Sequence, residues 1–287
     1  MLMPDFPLID AHIHLYDSAR LSYSWMQQAP ALLGRHLLPE FDAACDAVQV
    51  EKVVFVEVAA DPGLHLDEAG FIDGLAREEP RIAAMVAHAP LEKGAFVEAD
   101  LVALAEHKSL RGIRRLIQSE ADPAFCLEPD FIAGVRLLAK YGLSFDLCIK
   151  HWQMTHAIEL VRRCPEVIFI LDHIGKPGIR FGFREPWWSE LRELAFLPNV
   201  YCKMSGVITE ADPNAWTPQI IRPYVEHVIA CFGFGRTMFG SDWTVSTLTH
   251  PYPLWIEILD EILHGCSDAE LRAFYRDTAA KAYRLDG

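Results

Sequence analysis

Four residues carry side chains suited to binding a metal or moving a proton: His12 and His14, then His173, then Asp242. The first two are spaced i, i+2. Side chains alternate along a strand, so imidazoles at that spacing point the same way. Such a pair can chelate a cation or offer two hydrogen-bonding groups to a ligand. A carboxylate beside them can take a proton from water. Each residue alone has a plain structural reading. The histidine pair could sit satisfied under a loop, His173 could be a packing residue, and Asp242 a helix N-cap or buried ion-pair partner. Together they carry more weight, because each lies at the C-terminal end of a strand-like run. One reading makes His12, His14 and Asp242 the ligands of a single metal, and the other has them act by hydrogen bonding alone.

The elements that must position them can be read from the apolar pattern. Strand-like runs occupy residues 8–15, 52–59, 81–89, 110–117, 143–150, 167–174, 200–207 and 236–243. Several are apolar on both faces, as parallel strands covered by helices are. Amphipathic stretches fall between them, at 41–50, 66–79, 96–108, 130–141, 155–164, 189–197 and 219–232, with a final pair at 254–264 and 269–285. Thr217 before Pro218 marks a helix start, and Ser267 with Glu270 forms a capping box after Gly265. Strands alternating with helices from end to end predict an α/β fold, a closed (β/α)8 TIM barrel, as one domain over residues 1–287. An open doubly wound sheet would place a glycine-rich phosphate loop after its first strand, where this chain has histidines. In a barrel the C-terminal strand ends converge on one pocket, and the irregular segments 16–40, 174–188 and 207–217 would lie over it.

Four motifs extend this reading: IDAHIHL at the first strand, RGIRR at the fourth, LDHIGKP at the sixth and MFGSDW at the eighth. With them the chain resembles the amidohydrolase superfamily, and within it the sugar-lactone hydrolases that include the L-fuconolactonases and L-rhamnonolactonases. 2-Pyrone-4,6-dicarboxylate lactonase is a more distant likeness. The resemblance spans nearly the whole length. It implies a hydrolase that opens a cyclic ester, with one Zn²⁺ or other divalent metal, or none needed for turnover, and no organic cofactor. The chain departs from the two-metal members, which carry a bridging lysine or glutamate at a strand-four or strand-five end. Here those positions hold Arg114, Arg115, Lys150 and His151.

On this resemblance Asp242 would be the general base on water and would later return the proton to the leaving oxygen. His173 would hold the water or steady the oxyanion, and Arg114 would polarise the carbonyl or hold the carboxylate formed. A lactone is an activated ester, so its hydrolysis demands less Lewis-acid help than amide cleavage. Glu57, His151 and Trp25 are the remaining substrate-binding candidates. Glu57 could instead pair with Arg114. Tyr16, Tyr23, Trp187 and Trp188 could stack on a sugar ring or anchor loops, and His88 could line the pocket. Arg180 and Arg184 read as solvated, and Asp10 as a buried positioning group on the histidine face. A metal-dependent decarboxylase or hydratase of an unsaturated or aromatic acid is the alternative activity. A carbohydrate-binding protein on the same fold is a third reading, disfavoured by the intact set of four residues.

Composition closes off other classes. The chain is 51% hydrophobic and 23% charged, a globular balance. Its 40 acidic against 26 basic residues give a net charge of -14, which repels phosphate backbones and excludes nucleic acid as a partner. No apolar run is long enough for a membrane span, and the first residues lack the basic and apolar regions of a secretory signal. The seven cysteines are dispersed and never spaced CxxC, as expected of reduced thiols in a cytoplasmic protein. The expected partner is a small-molecule lactone. Barrels often pair as homo-oligomers, but no stripe in the sequence marks such a face.

Overall fold

A computed structural model describes residues 4–285. Eight parallel strands follow one another in chain order around a barrel. They are β1 (Leu8–Ile13), β2 (Val50–Val56), β3 (Ile82–His88), β4 (Leu110–Arg114), β5 (Ser144–Leu147), β6 (Phe169–Leu171), β7 (Val200–Met204) and β8 (Thr237–Phe239). The seam between β8 and β1 is narrow. Its backbone contacts include a parallel bridge between Ile13 and Trp243, the Asp242 N–H donating to His12 O at 2.9 Å, and the His14 N–H donating to Trp243 O at 2.6 Å. The residues that close the cylinder are therefore those singled out for chemistry, or their neighbours.

A helix follows each strand: α1 (Leu38–Cys45), α2 (His65–Glu78), α3 (Glu98–Leu104), α4 (Pro129–Lys140), α5 (Met154–Arg163), α6 (Trp187–Ala195), α7 (Pro218–Phe232) and α8 (Tyr252–Ile262). Each buries one stripe against the strands. In α5 that stripe is Met154, Ala157, Ile158, Leu160 and Val161, a helical spacing, while Arg162 and Arg163 face outward. Pro218 starts α7 and Gly233, at φ 67°, ends it, although Thr217 makes no side-chain cap. The capping box forms: Ser267 N–H donates to Glu270 Oε2 at 2.8 Å at the head of α9 (Asp268–Arg272). The last predicted helix, 269–285, is interrupted by a π turn at Ala273–Asp277, where adjacent Phe274 and Tyr275 are both fully buried, before α10 (Thr278–Tyr283).

Strand alternation sorts two cores. Val53 and Phe55 of β2 face the helices, and Val54 and Val56 face the barrel interior. The interior core also contains Ile9, Ala11, Ala84, Val86, Ile170 and Met238, and α10 seals it with Ala279, Ala280 and Tyr283. Several strands are shorter than predicted, because their last residues leave the ladder to face the opposite mouth. After β6 the chain enters left-handed backbone at His173, and after β8 at Asp242, with φ 53° and 62°.

Candidate active site

The site assembles from the ends of β1, β6, β7 and β8. A register shift in β1 between Asp10 and Ile13 separates the aspartate from the histidines. Simple alternation predicts Asp10 on the face of the histidines, but it does not lie there. It turns to α8 and accepts from the Tyr252 hydroxyl at 3.0 Å, from the Ser241 N–H at 2.9 Å and from the His12 N–H at 3.1 Å. It thus ties the ends of β1 and β8 together, and burial pushes its pKa up to about 6.

His14 donates from Nδ1 to Val56 O at 2.9 Å, since a carbonyl can only accept. Its Nε2 then faces Asp242 Oδ1 at 3.3 Å. His12 Nε2 lies 3.6 Å from the same oxygen, and its Nδ1 sits between Lys203 Nζ at 3.2 Å and Asp172 Oδ1 at 3.3 Å. His173 Nδ1 lies 2.9 Å from Ser205 Oγ and 3.9 Å from Asp242 Oδ2. Burial lowers the His12 and His173 pKa values well below the usual imidazole range, and at His12 the Lys203 ammonium adds to the effect. For Asp242, burial alone would raise the pKa. The neighbouring His173, His14 and Lys176 outweigh it and hold the carboxylate ionised below its ordinary value.

The four predicted residues therefore meet. Gly206, unassigned from the sequence, makes their packing feasible. At φ 57°, a Cβ there would lie 2.8 Å from His173 Nδ1 and 2.9 Å from Asp242 Oδ2. His14 Nε2 against a carboxylate oxygen at 3.3 Å is an arrangement that takes a proton or a cation between the two atoms. One ligand atom each from His12, His173 and Asp242 falls within 4.8 Å of the others, a donor set suited to a divalent ion. This group contains His173, where the set read from the sequence had His14.

Arg114 borders the cavity, but its guanidinium is committed to the protein. Nε donates to Glu57 Oε1 at 2.7 Å and Nη1 to Asp172 Oδ2 at 3.3 Å. Glu57 is fully buried, and its other oxygen accepts from the Ala59 N–H at 2.6 Å. Its carboxylate thus serves the ion pair and not a ligand. Beneath His12 lies a buried charge cluster that the sequence reading missed. Lys203 of β7 pairs with Asp146 at 2.6 Å and Asp172 at 3.1 Å, and the Tyr283 hydroxyl donates to Asp146 at 2.6 Å. The available signal was a lysine within the apolar strand VYCKM, at an inward-facing position.

The cavity above these groups measures about 410 Å³, with His14, His173, Asp242 and Arg114 at its base and Tyr16 and Trp25 on its wall. Trp25 donates its indole N–H to Val58 O at 2.8 Å, and Tyr16 its hydroxyl to Leu32 O at 2.8 Å. His151 is not on this wall; it packs edge-on against Trp152. Lys150 pairs with Glu210 at 3.2 Å. Trp187 is a loop anchor, donating to Ile174 O at 2.8 Å, and Trp188 stacks on His227 with centroids 3.7 Å apart. Tyr23 is buried against the Tyr16 ring. Arg180 lies 3.9 Å from Asp212, and Arg184 covers the Trp188 ring. His88 faces His65 in an adjacent cavity.

A barrel with this constellation at its C-terminal mouth defines a class. The amidohydrolase family model matches residues 9–285, and the chain belongs to that family. It is an enzyme of the hydrolase class. It is 32% identical to the L-fucono-1,5-lactonase of Burkholderia multivorans over 96% of each chain. It is 26% identical to the L-rhamnono-gamma-lactonase of Scheffersomyces stipitis, over 99% of this chain and 100% of that one. Among solved structures, a zinc-bound amidohydrolase from Burkholderia multivorans superposes with a TM-score of 0.87 at 32% identity, covering 98% of this chain and 100% of that one. No helix among the described residues is long and apolar enough to cross a membrane.

Proposed function

We propose that this hydrolase opens a sugar-derived aldonolactone, of the L-fuconolactone kind, to the aldonic acid, with Asp242 as the general base on water. Hydrolysis of a cyclic ester is the activity that the lactonase-named relatives support. The observation that carries the finer reading is the placement of Asp242: 4% exposed, its pKa held below the ordinary carboxylate value, and on the wall of a cavity of about 410 Å³ together with His14 and His173.

Asp242 takes a proton from water as the oxygen adds to the carbonyl carbon. His173 holds that water. The ring C–O bond then breaks, and Asp242 returns its proton to the departing alkoxide, so that lactone and water become a hydroxy acid. Trp25 and Tyr16 present aromatic surface to the sugar ring. A divalent ion held by His12, His14, His173 and Asp242 would supply Lewis-acid polarisation of the carbonyl. All seven cysteines are free, which suits a reducing compartment, and we place the enzyme in the cytoplasm.

The test is a pH-indicator screen of aldonolactones, run with and without chelator. Acid release from an L-fucono- or L-rhamnonolactone is the expected result, and silence across the panel would remove the proposal.

A further inference from the structure

The turn that carries His173 carries a second side chain, Lys176, which helps to hold Asp242 ionised but has no contact with substrate in the chemistry above. His173, Ile174, Gly175 and Lys176 all have positive φ, at 53°, 51°, 75° and 47°. Three of them are not glycine, and L-residues adopt this backbone only where the surroundings hold them there. The hold is visible. Trp187 donates to Ile174 O, and the Lys176 N–H donates to His173 O at 2.9 Å. A Cβ on Gly175 would come 2.5 Å from Met154 Cε. This turn delivers both His173 and Lys176 to the wall of one cavity.

Lys176 differs from the other basic groups near the site in what it pairs with. Arg114 is neutralised by Glu57 and Asp172, Lys203 by Asp146 and Asp172, and Lys150 by Glu210. Among the described residues no carboxylate lies within 4.0 Å of Lys176 Nζ. It donates one hydrogen bond, to Gln118 Oε1 at 2.6 Å, and Gln118 is itself on the cavity wall with its N–H donating to Cys148 O. An ammonium has three donors, so two remain for a ligand. Its charge is the part of the cavity that an anion would complete.

We propose that Lys176, seated on Gln118, binds the carbonyl oxygen of the scissile ester and then the carboxylate that ring opening creates. This rests on the lactone-hydrolase reading above and assigns to Lys176 the role first expected of Arg114. It also restricts the substrate class. One cation with two free donors and, among the described residues, no carboxylate within 4.0 Å matches one carboxylate, and that carboxylate appears only in the product. A substrate already bearing carboxylates would set a further anion near Asp242 with no cation to receive it. The substrate is accordingly a neutral lactone, and the product a monoanion.

The experiment compares the binding of carboxylate and neutral ligands of the same skeleton, by calorimetry, and needs no turnover. L-fuconate and L-rhamnonate are titrated against L-fucitol and L-rhamnitol in the wild type, Lys176→Met and Lys176→Arg. Expected are preference for the aldonates in the wild type, a loss of about tenfold or more in Lys176→Met, recovery to within about threefold in Lys176→Arg, and alditol binding unchanged within about twofold throughout. Equal binding of aldonate and alditol by the wild type would overturn the proposal. So would aldonate binding untouched in Lys176→Met, or a parallel loss of alditol, which would mark a structural role. Should Lys176→Met not fold, Lys176→Gln replaces it with the same criteria. Lactone turnover by the wild type is scored separately, so a failure of the hydrolase reading and a failure of the Lys176 assignment are distinguishable.

Discussion

Asp242 combines two properties rarely found together: it is nearly inaccessible, yet it stays charged. Desolvation is offset by imidazoles and an ammonium, and neutralising it removes the proton acceptor while preserving shape. Asp242→Asn is therefore expected to lower kcat about 10²–10⁴-fold with the unfolding transition little changed, as read by lactone turnover and thermal melting. Near-normal turnover would dismiss the base. At His14, whose Nδ1 is spent on Val56 O, only Nε2 can serve a cation. His14→Ala should cut the zinc content of protein reconstituted with zinc and desalted, as measured by elemental analysis, whatever the activity does. At this scale the four candidate groups were legible because their types stand out at strand ends. The pairing of Glu57 with Arg114 was visible only as one alternative, since no spacing rule tells an ion pair from two ligand contacts. The parity error at Asp10 came from a register shift, which leaves no mark in the residue types.

The elements were read well in order and kind, less well in extent. Strands β6 and β8 end early because their final residues must turn inward, and three non-glycine residues at positive φ after β6 store roughly 1–3 kcal/mol each. That strain is local and cannot be seen in an apolar pattern. A second consequence of burial lies on α2. Glu68 is 1% exposed and accepts from the Val58 N–H at 3.2 Å. Burial, then the nearby Glu57 charge, raises its pKa from 4.5 to about 8. The folded chain holds a proton there that the unfolded chain releases above about pH 4.5, so this residue makes stability fall as pH rises to about 8, and level off beyond. Glu68→Gln should flatten that decline, as measured by urea midpoints at pH 5 and pH 9. A wild-type slope as flat as the variant's would contradict the assignment.

Across the whole molecule, the barrel was predictable from strands and helices alternating over nearly the full length. What lies inside it was not. Much of the interior is aliphatic, but Lys203, Asp146 and Asp172 form a charged column through its middle. Removing one member leaves the others charged and dry. Lys203→Met should cost about 3–5 kcal/mol, read from denaturant unfolding, and a neutral effect would show that water or a proton compensates.

The column has a lower end, and it is Tyr283, on the helix that plugs the barrel. His12 is therefore steadied by a chain of contacts that runs through Lys203 and Asp146 to a residue more than 250 positions further along the chain. A chain cut short of this tyrosine keeps all four candidate groups and leaves the first histidine without that support. A truncation that removes Tyr283 is thus expected to lose lactone turnover although every candidate group is still present.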